Sequence, residues 1–224
     1  MSHQTVANYA SAAARVIKPF VDNFPYDLSE KLAIVGDETY IKVLGKNHYV
    51  FFIMDAVKRI ITSCPVFKNR DGVAAIKAVY STLSKFKKIP DNLTMVFDGN
   101  PIYILAQHFF AQHDIHFDVK QVIGLKNNDE ISKEYRWLKQ TTERLNRTFK
   151  SVYKGTNGFN SYDGANAFTS LFTGFYNFLR RHSSLGYEVP VKLAEVEAMP
   201  DMPSKWLKLL SMSCEYLADK KVSA

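Results

Sequence analysis

The chain has 224 residues, of which 46% are hydrophobic and 23% charged, a composition typical of a globular protein large enough to bury a core. Its formal net charge of +7 at pH 7 favours a polyanionic partner. The two cysteines lie far apart and form no C-x-x-C pair, which argues against a zinc ribbon and a disulfide framework. Because no apolar run is long enough to span a bilayer and no signal-peptide pattern is present, we expect a soluble, cytoplasmic protein without a membrane partner.

The first stretch of the chain predicts a short helix followed by a linker. Residues 2–20 carry apolar side chains at helical spacing, with Ser2 as the N-cap and Pro19 as the stop. Residues 21–30 contain a proline and two aspartates, which is typical of a linker.

Three strands are predicted next. Polar and apolar residues alternate over 35–43, which indicates a strand with one polar face. Residues 48–54 are almost continuously apolar, as expected of a central strand that is covered on both faces. Residues 60–67 contain Pro65, which favours a strand at the edge of the sheet. Together they predict an antiparallel meander.

Helices and strands alternate after the meander, and this order predicts a mixed α/β fold with one sheet flanked by helices. Segment 124–133 is polar and is predicted to be a loop. The predicted helices are 72–86, 103–113, one that contains 141–150, 165–179 and 206–217, and the further strands are 93–97 and 117–123.

The helix that contains residues 141–150 has two distinct faces when it is drawn at 100° per residue. One face is apolar, and the other presents a single carboxylate in a row of cations. The apolar face consists of Leu138, Leu145, Phe149 and Val152, and the polar face of Lys139, Glu143, Asn146, Arg147 and Lys150.

Three carboxylates stand out by their position. Asp37 lies within the first strand, Asp98 follows the fourth strand, and Glu143 lies on the late helix. Ligands of open α/β sheets bind beyond the carboxyl ends of strands. Carboxylates without His or Cys suit hard cations such as Mg²⁺ or Mn²⁺.

Each of these acids also has a structural interpretation. Asp37 fits a polar position on a strand face, Asp98 fits a turn before glycine, and Glu143 fits an exposed helical ion pair. Asp55 and Glu134 compete for a place in the site. A local salt bridge is the alternative for Asp55, whereas Glu134 has no cationic stripe of its own.

Several motifs in one order resemble a known family. VGDETYIKV, MVFDGN and TTERLNRTFK resemble the core of DDE-type insertion-sequence transposases, relatives of retroviral integrases, in which a basic residue follows the glutamate by seven positions, as Lys150 follows Glu143. YNFLRRHSSL resembles the segment after that core. SHQTVANYA resembles the last helix of the helix-turn-helix region, so the resemblance implies an N-terminally truncated copy.

The resemblance implies a ribonuclease-H-like core whose mixed five-stranded sheet has three antiparallel strands followed by two parallel ones. The spacing between Asp98 and Glu143 is longer than usual for integrases, and we expect the extra length in segment 124–133. The implied domains are a helix-turn-helix remnant (1–20), a linker (21–30), the catalytic core (31–185) and a tail (186–224).

The implied activity is metal-dependent DNA strand cleavage and strand transfer by a nucleoid-associated transposase. Asp37 would bridge two Mg²⁺ or Mn²⁺ ions, with Asp98 and Glu143 each completing one site. The partners would be the element ends and target DNA, bound by a homodimer or a larger assembly. Two alternatives remain, a nuclease that cuts without joining and a catalytically silent DNA-binding remnant. The residues expected to contact DNA phosphates are Lys139, Arg144, Arg147 and Lys150.

Overall fold

The computed structural model describes residues 2–29, 34–123 and 129–222. Its contacts group the chain into two compact units, Asp27–Asn160, and Met1–Tyr26 together with Ser161–Ala224. The four domains expected from the sequence remain predictions, since a contact grouping does not define domains. Within the described ranges, no helix combines the length and the apolar character needed to cross a membrane.

One mixed sheet forms the centre of the unit Asp27–Asn160. Its strands are β1 (Ile34–Val43), β2 (Lys46–Asp55), β3 (Ile60–Ser63), β4 (Val66–Phe67), β5 (Thr94–Phe97) and β6 (Asp118–Gln121). They lie in the order β3-β2-β1-β5-β6, and β4 also pairs with β2. β1, β2 and β3 are antiparallel, whereas β5 and β6 continue from β1 in parallel. The predicted mixed sheet, with three antiparallel strands followed by two parallel ones, is confirmed, and it has one strand more than expected because the segment around Pro65 splits into β3 and β4.

Both faces of this sheet are covered. Helices α2 (Gly72–Leu83) and α3 (Ile102–Ala111) pack on the face that carries Phe51 and Ile53. Phe52, the residue between these two, contacts Phe149 of the long helix α4 (Glu130–Tyr153). The apolar run 48–54 is therefore a central strand, because its alternate side chains enter two different cores.

Helix α4 begins earlier than the sequence indicates. Asp129 caps it by accepting a hydrogen bond from the Ser132 amide at 2.7 Å, so residues 130–133 are helical and not part of a loop. Residues 124–128 lie outside the described residues. On the predicted apolar face, Leu138, Leu145 and Phe149 are buried, but Val152 is 48% exposed because it lies in the last turn.

The other unit is helical. It contains α1 (His3–Asn23), α5 (Tyr162–Gly174), a π-helical turn (Phe175–Leu179), α6 (Ala194–Glu197) and α7 (Met202–Val222). α1 packs against α5 and α7, and α7 is longer than the predicted 206–217.

Ser2 caps α1 as predicted, but Pro19 does not end it. The helix runs on to Asn23, and residues 21–23 are therefore not a linker. Phe20 and Val21 are buried, and we infer that their burial offsets the backbone hydrogen bond that proline removes.

Candidate active site

Two aspartates meet where β1 and β5 diverge. The strands pair only at Ile34 with Met95 and at Val35 with Val96, so Asp37 and Asp98 both lie just past the paired region. Gly36 makes this close approach feasible, because a Cβ at this position would lie 2.3 Å from the ring of Phe97. Asp37 directly follows Gly36, and Asp98 directly follows Phe97. The packing of Gly36 on Phe97 therefore brings the two carboxylates together.

A third carboxylate joins these two. One oxygen from each of Asp37, Glu38 and Asp98 lies within 4.8 Å of the others. In the described ranges, this is the one group of three or more acidic, histidine or cysteine side chains close enough to hold a single metal ion. An all-carboxylate donor set suits a hard divalent cation.

Arg70 joins Glu38 to Asp98. Its Nε and Nη2 donate to the two oxygens of Glu38, both at 3.1 Å, and Nη2 also donates to Asp98 Oδ2 at 3.0 Å. The Glu38 side chain is only 2% exposed, so its charge would be costly to bury without the guanidinium. Asp98 Oδ1 accepts from the amide of Asn100 at 3.1 Å. Both oxygens of Asp98 are therefore held in place.

The environment of Asp37 disfavours its negative charge. Burial, with smaller contributions from the charges of Asp98 and Glu38, raises the pKa of Asp37 to about 6. The side chain accepts hydrogen bonds from the Glu38 amide and from Asn146 Nδ2, both at 2.9 Å. These bonds do not remove the repulsion between the acids, which a bound cation would relieve.

A buried phenol faces the same acids. Tyr103 is 1% exposed, and its hydroxyl lies next to the Glu38 carboxylate without a hydrogen bond of standard geometry. Its pKa is raised well above the ordinary value, first by burial and then by the charges of Glu38, Asp98 and Asp37. Crowded carboxylates beside a buried hydroxyl that lacks a well-formed hydrogen bond fit a site that is completed by a cation and its water ligands.

Glu143 lies on α4 outside the group of three carboxylates. It lines a cavity of about 330 Å³ together with Val122, Lys139 and four further residues of α4. Asn146, three residues later, donates a hydrogen bond to Asp37. The charge of Lys139, four residues before Glu143, partly offsets the rise in the pKa of Asp37. Since residues three and four apart are neighbours on a helix, Glu143 lies on the same stretch of α4 that borders the carboxylates.

The predicted DNA-contact residues lie in two different environments. Arg144 and Arg147 are exposed and line the Glu143 cavity. Lys139 also lines it, and its Nζ donates to the Val122 carbonyl at 3.2 Å. The ammonium of Lys150 instead donates to the carbonyl oxygen of Tyr40, and burial lowers its pKa.

The two competing acids have other surroundings. Asp55 is fully buried and accepts hydrogen bonds from the amides of Ser29, Val57 and Lys58, so it stabilises a turn. Glu134 is exposed near the start of α4.

Four residues of this site were absent from the sequence-based set of site residues. They are Glu38, Arg70, Tyr103 and Asn146. The sequence features that could have identified them are weak. Glu38 is the second of two consecutive acids in an otherwise alternating strand, and Arg70 is a basic residue just before a helix cap. Tyr103 is an aromatic residue after the Asp98 turn, and Asn146 is an amide one turn after Glu143.

Comparisons with known proteins agree with the resemblance noted in the sequence. Residues 32–171 match the family model DDE_Tnp_IS240, described as a DDE domain. No curated protein matches the chain. The fold is similar to the catalytic core domain of HTLV-2 integrase in complex with magnesium (14% identity, TM-score 0.46, 70% of this chain and 90% of that one). It is also similar to the catalytic domain of Mos1 mariner transposase (9% identity, TM-score 0.42, 95% of both chains).

The family assignment rests on the sequence match, which covers more than half of the chain. The match includes β1 with Asp37, the turn with Asp98 and the helix with Glu143. The chain therefore belongs to the DDE_Tnp_IS240 family of DDE transposase domains.

Proposed function

We propose that this chain is a DNA transposase that cleaves DNA strands and joins them to new positions with two Mg²⁺ or Mn²⁺ ions. A transposase or integrase role is supported by its family. The proposal of metal-dependent strand cleavage and joining rests on one observation, the convergence of Asp37 and Asp98 beside the stretch of α4 that bears Glu143.

The proposed reaction consists of two displacements at phosphorus. Water opens a phosphodiester and leaves a free 3′-hydroxyl, and that hydroxyl then displaces an oxygen of the target strand, without a covalent bond to the protein. Asp37, Asp98 and Glu143 would hold the divalent ions, which when bound activate the attacking oxygen and stabilise charge on the leaving oxygen. Arg70 and Asn146 keep Asp98 and Asp37 oriented.

The cations of the Glu143 cavity suit the phosphates that flank the reacting one. Arg144 and Arg147 are exposed along the same helix as Glu143, and Lys139 lies nearer to Asp37. Phosphate contacts of this kind make binding strongly dependent on salt. Since a mobile element has two ends and each chain carries one such site, we propose that at least two copies act together on DNA, in the cytoplasm at the nucleoid.

The test is a nicking assay on supercoiled plasmid with Mn²⁺ or Mg²⁺, with EDTA as the blank. Asp37→Asn, Asp98→Asn and Glu143→Gln should each abolish nicking while DNA binding stays nearly intact. Glu134→Gln, on the same helix but exposed, is the matched control and should keep full activity. Loss of activity in Glu134→Gln with full activity in Glu143→Gln would show that the third carboxylate is misassigned.

A strand-transfer assay separates the alternatives. Pre-cut element ends should be joined to a plasmid by a transposase. A nuclease would nick the plasmid without joining, and a silent remnant would bind DNA in a salt-dependent manner without nicking it.

A further inference from the structure

The two consecutive acids of β1 lie on opposite faces of the sheet. In the pairing of β1 with β2, Asp37 is opposite Phe52, which contacts Phe149 of α4. Glu38 is opposite Phe51, which lies in the core that α2 and α3 cover. Directly opposite residues of paired strands point to the same face of a sheet. Asp37 therefore faces α4, whereas Glu38 faces the side of α2 and α3.

The hydrogen bonds of the two acids agree with this arrangement. Asp37 accepts from Asn146 Nδ2, which belongs to α4. The Glu38 carboxylate accepts from Arg70, which precedes the cap of α2. It also lies next to the hydroxyl of Tyr103, which belongs to α3. Each acid is therefore contacted by the helices of its own face.

Both oxygens of Glu38 are engaged on that side. Arg70 donates from Nε to Oε1 and from Nη2 to Oε2, both at 3.1 Å, and Asn100 Nδ2 lies 3.4 Å from Oε1. The Glu38 side chain is 2% exposed, whereas that of Asp98 is 26% exposed. A bound Mg²⁺ usually keeps several water ligands. A carboxylate with so little exposed surface is therefore poorly placed to bind such an ion directly.

Arg70 connects Glu38 to the metal-binding face. Two parallel hydrogen bonds between a guanidinium and a carboxylate fix the plane of the guanidinium as well as its distance. In this orientation Arg70 Nη2 also donates to Asp98 Oδ2 at 3.0 Å. The other oxygen, Asp98 Oδ1, accepts from the amide of Asn100. Glu38 therefore sets the direction from which the guanidinium holds Asp98.

We propose that Glu38 is a positioning residue and not a metal ligand: from the opposite face of the sheet it fixes Arg70, whose guanidinium holds Asp98. This inference rests on the proposed function in one respect, the use of Asp98 as a metal ligand. The closeness of Glu38 to Asp37 and Asp98 then follows from its connection to Asp98 through Arg70 and not from a shared ion.

The first test measures Mn²⁺ binding by titration calorimetry in Glu38→Gln, Arg70→Gln and the double variant. Glu38→Gln should weaken binding about 10- to 100-fold, the range seen when a supporting residue of a metal site is removed, with the number of bound ions unchanged. The double variant should bind Mn²⁺ no more weakly than Arg70→Gln alone, because Glu38 acts through Arg70.

A metal ligand would behave differently in the same experiment. If Glu38 binds the ion directly, Glu38→Gln lowers the number of bound ions, or its loss of affinity is just as large in the Arg70→Gln background. Either result would overturn the proposal. Lys58→Gln, which breaks the ion pair of Lys58 with Asp27, is the matched control and should leave the Mn²⁺ affinity unchanged.

The second test follows the NMR signal of the Arg70 Nε–H group, which is assigned by its loss in Arg70→Gln. With EDTA present, Glu38→Gln should shift this signal and speed its exchange with water, because Nε donates to Glu38 in the wild type. Addition of Mg²⁺ to the wild type should leave the signal in place. Its disappearance would mean that the ion takes Glu38 away from Arg70, and the proposal would be wrong.

Hydrogen exchange of the Asn100 amide separates this proposal from the proposed function. The amide donates to Asp98 Oδ1, so its exchange in EDTA reports how firmly Asp98 is held. Exchange should be faster in Glu38→Gln and in Arg70→Gln, while the amides of β2 keep their protection and show that both variants are folded. Wild-type exchange of Asn100 in both variants would refute the positioning role. A wild type that binds no Mn²⁺ and nicks no DNA would refute the proposed function, and the Asn100 amide would still decide the role of Glu38.

Discussion

At the scale of single residues, the dominant feature is the crowding of negative charge around Asp37. Its pKa is raised from 3.8 to about 6 by burial and by its acidic neighbours. The metal-free folded protein therefore binds this proton more tightly than the unfolded chain does. As a result, the contribution of Asp37 to the free energy of unfolding falls as the pH rises from about 4 to about 6 and is level above that.

We predict that Asp37→Asn stabilises the metal-free protein at neutral pH by roughly 1–3 kcal/mol, because the neutral amide is not repelled by the other carboxylates. The gain should be small near pH 4 and reach its full size above about pH 6. Urea unfolding of both proteins at several pH values, with EDTA present, measures it. A gain that is the same at every pH would contradict the assignment to Asp37 ionisation.

The Arg70–Glu38 pair gives a second prediction at this scale. Arg70→Gln leaves the nearly buried Glu38 carboxylate without its counter-charge and should lower the free energy of unfolding by about 1–3 kcal/mol. The double variant Glu38→Gln, Arg70→Gln should be less destabilised than Arg70→Gln alone, because no uncompensated charge remains. Chemical denaturation of the two variants decides this, and a double variant that is the less stable of the two would refute it.

The same residues show what the sequence could predict at the site. Asp37 and Asp98 were identifiable because one lies in a strand and the other follows a strand end, positions where ligands collect. Glu38 was not identifiable, because neighbours on a regular strand point to opposite faces, whereas in the fold both Asp37 and Glu38 approach Asp98. Arg70 was not identifiable either, since its pairing with Glu38 depends on how the chain folds back.

At the scale of elements, the contact of Gly36 with Phe97 sets the distance between β1 and β5 at the site. The Phe97 ring is stacked on Tyr103, with centroids 3.7 Å apart and an interplanar angle of 9°. It therefore has little freedom to move away from an added methyl group.

We predict that Gly36→Ala destabilises the protein by about 1–3 kcal/mol, the usual cost of overpacking a core, and weakens metal binding by displacing Asp37. Gly155→Ala is the control, because a Cβ there would have no neighbour within 4 Å, and it should be nearly neutral. Thermal unfolding with and without Mn²⁺ tests both effects. Wild-type stability in Gly36→Ala would show that β1 and β5 separate easily.

The elements themselves were largely predictable, whereas several of their ends were not. The continuous apolar run identified β2, helix α2 was predicted at 72–86, and Ser2 was recognised as the cap of α1. The predicted end of α1 at Pro19 was wrong, because burial of the following residues extends the helix beyond the proline. The prediction of a loop at residues 130–133 was wrong, because these polar residues form the first turn of α4, which Asp129 caps and which is largely exposed.

At the scale of the whole molecule, the chain forms its helical unit from two segments that are remote in sequence. Met1–Tyr26 joins Ser161–Ala224, and the sheet unit lies between them in the chain. No local pattern reveals such a pairing, since it depends on contacts across most of the sequence. Gly174 is the residue whose identity most directly reflects the packing of the two segments, because a Cβ there would lie 2.6 Å from Ile17.

We predict that Ile17→Ala loosens the helical unit while the sheet unit stays intact. Ile17 is fully buried and packs on Gly174, so its truncation should cost about 2–5 kcal/mol in the stability of that unit. Hydrogen exchange should show faster amide exchange in α1, α5 and α7 and unchanged protection in β1 and β2. Val6→Ala, on the same helix but 54% exposed, should change neither. Equal loss of protection in both units would instead mean that the chain unfolds as one cooperative body.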